Sequence, residues 1–256
     1  MSMDTITQVQ SFRAEFTEYV KELQKRANPD NLKALADIRE FDVNILQQLG
    51  VFYLRDQVDM IVPRFISRLQ DFGVISSANQ KPIYDSRYVI PFYDMEGLVC
   101  GLAGYSLTSK ERYLYATPKY FERRDAIYGI EEYEKCIRDG YVFVVEGLTD
   151  RIALMNLGIE NVMATAGAHK SPHMMSVLSM IKNVIFIPDR DKVGDLTKEY
   201  WKTNRYIRVY IPILYKDIDE YIKKYNDKMY IRQMLLDLKD EVISSDYING
   251  TEVSIR

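Results

Sequence analysis

Residues 141–168, YVFVVEGLTDRIALMNLGIENVMATAGA, and residues 183–195, NVIFIPDRDKVGD, decide how this chain is read. Each opens with a short apolar run too brief for a helix and rich in β-branched and aromatic residues, which is the mark of a buried strand. A helical pattern over Thr149–Leu157, a third run at NVMAT, a helix over Pro172–Ile181 and a fourth run at IRVYIPI extend the alternation, with a further helix expected over Leu196–Asn204. Strands alternating with helices predict a parallel sheet joined by right-handed crossovers, and hence a mixed α/β fold class.

Upstream the periodicity differs. Residues 5–27 and 31–49 repeat apolar side chains at helical spacing (Phe12, Phe16, Val20, Leu23; Leu32, Leu35, Ile45, Leu49), separated by Asn28, Pro29 and Asp30. Val62–Phe72 reads as a third helical segment closed by Gly73. SRYVIPFYDMEGLVCGLAG then reads as an antiparallel hairpin with Asp94–Gly97 in the turn. These shifts of period predict an N-terminal helix over 1–30, an α+β region over 31–139, the parallel α/β region over 140–225 and a short helical tail over 226–256.

The acidic residues stand where chemistry is expected in such a sheet. Glu146 follows YVFVV directly, Asp189 and Asp191 follow NVIFIP, and Asp150 lies one helical turn from Glu146. Ligands of open parallel sheets bind beyond the carboxyl ends of the strands, so residues distant in sequence converge there. Carboxylates brought together repel one another unless a hard cation neutralises them, and Mg2+ is the natural occupant. Any one of these residues alone reads as a helix cap. EGxxD after one buried strand and DxD after another form a far more specific combination.

With those residues in place, the chain resembles the catalytic core of DnaG-type bacterial and phage primases, in which a Toprim domain follows an N-terminal subdomain. The resemblance runs over about residues 30–225 through IREFDVNILQQLGVFYL, the hairpin SRYVIPFYDMEGLVCGLAG, TPKY, IYG, VVEGLTD, VIFIPDRD and KDIDEYI. It implies a Toprim-type parallel sheet with flanking helices, preceded by an α+β subdomain. It further implies synthesis of short RNA primers on single-stranded DNA from ribonucleoside triphosphates, assisted by two or more Mg2+ or Mn2+ ions. Glu146, Asp189 and Asp191 are then the catalytic residues. Asp150, Asp217 and Asp219 complete the metal-binding set with them.

KERYLYATPKYFERR supplies cations and aromatic rings for a single strand: Lys119 and Tyr120 match the family's PKY, Arg123 and Arg124 follow, and Arg87 matches a family arginine. The chain departs from the pattern in three places. FERRDA is shorter than the usual insert, Ala103–Gly104–Tyr105 stands where the hairpin usually ends GGR, and Asp85 stands where an arginine is common. Neither a zinc-binding module nor a helicase-binding module is expected, so template recognition or helicase coupling is assigned to a separate partner protein. A compact core of this kind suits a phage or mobile element.

Composition limits the other classes. A net charge of −3 gives no overall basic signature, so any nucleic-acid surface must be a local patch. No run approaches the roughly 20 apolar residues that span a bilayer, and the N-terminus is not signal-like, so a cytoplasmic protein of a bacterial or phage-infected cell is expected. Cys100 and Cys136 have no CxxC or CxxH neighbour and read as buried thiols. His169 and His173 are four apart, but Pro172 starts a helix between them, and no zinc site is predicted. No GxxxxGK[ST] occurs, which excludes a P-loop ATPase. A Toprim-type nuclease and a non-catalytic single-stranded nucleic-acid adaptor are the two rival readings.

Overall fold

The computed structural model describes residues 3–76, 78–166, 171–190, 206–212, 214–244 and 251–254. The chain divides into two compact units, Met1–Arg123 and Arg124–Arg256.

The first unit is an antiparallel sheet of four strands in the order β1 (Phe52–Leu54), β2 (Arg87–Tyr93), β3 (Val99–Tyr105), β4 (Tyr113–Tyr115). The hairpin between β2 and β3 is closed as expected. The Asp94 carboxylate accepts from the N–H of Glu96 and Leu98, and Gly97 takes the left-handed conformation that the turn requires. The long helix α1 (Met3–Arg26) lies against this sheet, burying Phe12, Phe16, Tyr19, Val20 and Leu23 in one core with Phe65, Phe72, Val89 and Leu102. Phe72 is the hub of this core, with Phe16 and Tyr19 at ring-centroid distances of 4.8 and 5.1 Å. The N-terminal helix is therefore a layer of the first unit. Two further contacts pin it: the Val99 N–H donates to Thr17 Oγ1 and Arg13 pairs with Asp94.

Where one helix is expected over 31–49, the structure has α2 (Asn31–Arg39) and α3 (Val43–Gln48). Glu40 interrupts them in the left-handed region, and Asp42 then caps α3 by accepting from the Asn44 N–H. The segment from Val62 is a 3-10 helix over Pro63–Arg68, and Gly73 follows at φ +63°, where an added Cβ would strike the Thr117 backbone at 2.3 Å.

The second unit is a parallel sheet of five strands in the order β6 (Val162–Ala164), β5 (Tyr141–Val145), β7 (Asn183–Ile187), β8 (Tyr206–Tyr210), β9 (Thr251–Ser254). Its helices are α4 (Tyr133–Asp139), α5 (Leu148–Asn156), α6 (Pro172–Ser179), α7 (Ile218–Lys224) and α8 (Lys228–Ser244). Central strands β5 and β7 are buried over almost every residue, which is why they read as unbroken apolar runs. The expected helix over Leu196–Asn204 lies outside the described residues.

Two boundaries differ from the periodicity reading. Residues 124–139 go with the second unit, because Ile127 and Cys136 enter its core and the Tyr128 backbone exchanges two 2.8 Å hydrogen bonds with Ala164. The tail past 226 is helical only through α8. Thr251–Ser254 then adds a fifth strand beside β8, an edge addition made by backbone bonds that apolar spacing does not reveal. The two thiols also differ: Cys136 is buried, which pushes its thiol up to about 12, whereas Cys100 is only half-buried.

Candidate active site

Strands β5 and β7 are hydrogen-bonded neighbours with Val145 opposite Ile187. Glu146 and the Pro188–Asp189 pair therefore leave the sheet side by side, at about the 4.8 Å spacing of adjacent strands. Glu146 is buried and Asp189 half-buried. Asp150 sits in the first turn of α5 at 4 % exposed, its Oδ2 accepting from the Gly147 N–H (3.1 Å) and its Oδ1 from the Asp219 N–H (3.1 Å). One carboxylate thus joins the EGxxD turn to the start of α7. Asp217 is the N-cap of α7 and accepts from the Glu220 N–H at 2.8 Å, and Asp219 is buried in the same turn.

Burial holds the Asp150 carboxyl well above its usual value, and the charges of Asp217, Asp189 and Asp219 push it in the same direction. Three of the six expected carboxylates, Asp217, Asp189 and Asp219, therefore lie close enough to act on a fourth, Asp150, and Glu146 emerges on the strand beside Asp189. Asp191 lies outside the described residues. Among the described residues no three acidic, histidine or cysteine side chains stand close enough to enclose an ion. An all-oxygen donor set suits a hard divalent cation, completed by water and other oxygen ligands. Capping and metal binding are compatible here, since Asp150 and Asp217 serve as caps while bringing their charge to the cluster.

The cationic residues of the first unit have a different setting. Lys119 is exposed, with Nζ 5.3 Å from the Tyr120 ring centre, and Tyr120 meets Phe12 edge to face at 5.1 Å. An open cleft of about 440 Å³ lies beside this pair, with Arg68 and Asp71 also on its walls. The exposed Arg123 stacks on Tyr115, its Cζ 3.9 Å from the ring centre, and Tyr115 continues to Tyr113 and Tyr105 in a row across β4 and β3. Arg124 is exposed at the start of the second unit. Arg87 is buried instead, and its Nη1 donates to the carbonyls of Gly104 (3.1 Å), Glu111 (3.1 Å) and Arg112 (3.3 Å). It fastens the end of β3 to the turn before β4.

Comparison with known proteins shows what these features resemble. Residues 143–222 match the Toprim-like family model. Over 243 residues the chain is 27 % identical to the DNA primase of Synechococcus elongatus, an alignment covering 85 % of this chain and 35 % of that protein. The zinc-binding and RNA polymerase domains of Aquifex aeolicus primase superpose with a TM-score of 0.74 at 20 % identity, covering 86 % of this chain and 60 % of that one. A DnaG primase catalytic domain bound to single-stranded DNA superposes with a TM-score of 0.72 at 17 % identity, over 94 % of this chain and 85 % of that one. The fold is that of a DnaG-type primase core. The chain spans about a third of the length of the curated primases that it matches.

Two side chains of this primase-type core escaped the sequence reading. Arg190, which follows Asp189, donates from its backbone N–H to the Lys216 carbonyl (2.7 Å) and from Nη1 to the Ile211 carbonyl (2.6 Å), drawing the segment after β8 against Asp189–Arg190. Arg151, next to Asp150, is buried at 2 % exposed. The only signal for it was a charged residue directly before the apolar run IALM of its helix, LTDRIALMN. Among the described residues no helix is long and apolar enough to cross a membrane.

Proposed function

We propose that this chain is the catalytic core of a primase, joining ribonucleotides into short RNA primers on a single-stranded DNA template. The observation that carries the reading is the convergence of Asp150, Asp189, Asp217 and Asp219 beyond the strand ends of a primase-type fold, with the Asp150 carboxyl held up by burial and then by its neighbours' charge. Glu146, Asp189 and Asp191 are assigned as the catalytic carboxylates. Asp150, Asp217 and Asp219 complete the metal-binding set.

Two or more Mg2+ or Mn2+ ions, when bound, lower the pKa of the primer 3′-hydroxyl and offset charge on the α-phosphate and the departing pyrophosphate. The protein's part is to hold that site. Glu146, buried at the end of β5, is placed to ligate or to accept the 3′-hydroxyl proton. Asp150 fixes the EGxxD turn to α7 through its two backbone bonds, which sets where Asp217 and Asp219 stand. Lys119, Tyr120, Arg123 and Arg124 are assigned to the template strand or the incoming nucleotide, cations for phosphates and rings for bases. Arg87 contributes by shaping the β3–β4 turn. Single-stranded DNA and ribonucleoside triphosphates are the proposed ligands, and a separate template-recognition or helicase protein is the proposed partner.

Incubation with labelled ribonucleotides, mixed-sequence single-stranded DNA and Mg2+ or Mn2+ tests this, alone and with a zinc-binding primase module added in trans. New RNA is expected, and its yield should fall at least about 100-fold in Asp189→Ala, the loss typical of removing a group that stabilises the transition state. Metal-dependent shortening of the DNA without RNA would establish a nuclease instead. Binding with neither product, even with the added module, would establish an adaptor.

A further inference from the structure

Arg151 follows Asp150 directly in the first turn of α5, yet its side chain runs into the protein rather than toward the carboxylates' solvent edge. Nε donates to the Val162 carbonyl on β6 (2.9 Å), Nη2 donates to Glu131 Oε1 (3.2 Å), and the guanidinium lies over the Tyr128 ring with Cζ 4.4 Å from its centre. Gly129, at φ +104°, leaves room for it. A Cβ at that position would come within 2.7 Å of Arg151 Nε and 2.8 Å of the Val162 carbonyl oxygen. Segment 128–131 is also held to β6 by the two backbone bonds between Tyr128 and Ala164. One guanidinium therefore joins the turn bearing Asp150, the strand β6 and the segment that leads into α4.

This is a costly way to add stability. The pair with Glu131 is between side chains 2 % and 21 % exposed, and neither Arg151 Nη1 nor Glu131 Oε2 has a hydrogen-bond partner among the described residues. Desolvating a charge for an incompletely satisfied pair commonly costs as much as the pair returns, and replacing both partners by apolar side chains of similar volume is often equally stable. What the apolar replacement lacks is direction. A planar fork with two bonds at fixed angles and a ring against its face sets the rotation of α5 about its axis, and with it the aim of Asp150.

We propose that Arg151 is a positioning residue for the metal-binding carboxylates, locking the Glu146–Asp150 turn in register with segment 128–131. The inference rests on the reading that these carboxylates hold a divalent cation. It makes a prediction whose sign separates it from simple electrostatics. Removing a positive charge beside acidic residues should, by charge alone, tighten cation binding, whereas loss of the clamp should weaken it.

The test is Mn2+ binding to the full chain, followed by electron paramagnetic resonance, with thermal unfolding in EDTA run in parallel. Arg151→Met leaves Glu131 buried without its partner, so it is expected to unfold at a lower temperature than the wild type and, measured where it is folded, to bind Mn2+ about 10-fold more weakly. Arg151→Lys keeps the charge but not the fork, so it should also weaken binding, and it carries the test if Arg151→Met does not fold. Unchanged or tighter binding in a folded Arg151→Met, or wild-type affinity in Arg151→Lys, would overturn the role of Arg151 alone. A wild-type chain that binds no Mn2+ would overturn the metal reading as well. Metal binding without any RNA synthesis would leave Arg151's role standing and overturn the primase assignment.

Discussion

The two units handle charge in opposite ways. In the second, acidic side chains are drawn into the protein at the ends of parallel strands until they repel, with Asp150 at 4 % exposed and its carboxyl pushed up by burial and three neighbours. In the first, the expected nucleic-acid cations stay at the surface, Lys119 and Arg123 resting on Tyr120 and Tyr115, except for Arg87, which is spent on backbone carbonyls. Buried like charges are stable only where a proton or a bound cation neutralises them, and their crowding supports the proposed metal site. Exposed cations on aromatic rings cost little, and these are the ones proposed to meet a polyanion.

The sharpest way to break this contrast is at Arg87. If its role is to hold the β3–β4 turn, Arg87→Met should cost about 1.5–3 kcal/mol in urea unfolding, the range for hydrogen bonds to a charged group, and leave the salt dependence of DNA binding unchanged. A reduced salt slope at unchanged stability would return Arg87 to the template-binding set.

Asp150 offers a smaller effect with a definite sign. A carboxyl whose folded pKa is raised contributes stability that is fully present below its unfolded value and is lost as pH rises through the folded value. In EDTA, the wild type should therefore lose more Tm than Asp150→Asn does as the pH rises above the usual carboxylate range, by about 2–4 °C for each 1 kcal/mol of ionisation cost. Added Mg2+ should restore the wild type and have less effect on the variant. Parallel pH profiles for the two proteins would show that the carboxylates are not crowded in solution. The smallest effect is expected at Lys119. Lys119→Ala should lower the slope of log affinity against log salt for single-stranded DNA by about 0.7, one phosphate contact, without moving Tm. An unchanged slope would remove Lys119 from the interface.

Much of this was legible in the residues. Buried parallel strands announce themselves as apolar runs because both faces are covered, so YVFVV and NVIFI could be placed, and the acidic residues immediately after them could be assigned to one end of the sheet. The turn at Asp94–Gly97 was equally plain, since its geometry is set by residues within the turn itself. Harder to see were Glu40, whose left-handed backbone divides a continuous helical pattern, and strand Thr251–Ser254, whose place depends on an edge supplied by β8.

The sequence by itself determined the buried strands β5 and β7 and the carboxylates that follow them, because those follow from local periodicity. Only the tertiary structure decided what each charged side chain does. Arg87, Lys119, Arg123 and Arg151 are alike as letters in a chain. Burial and partners make one a brace for a turn, two of them surface cations on tyrosine rings, and one a clamp behind Asp150. Those partners lie many residues away, and their approach is fixed by packing that no local pattern records.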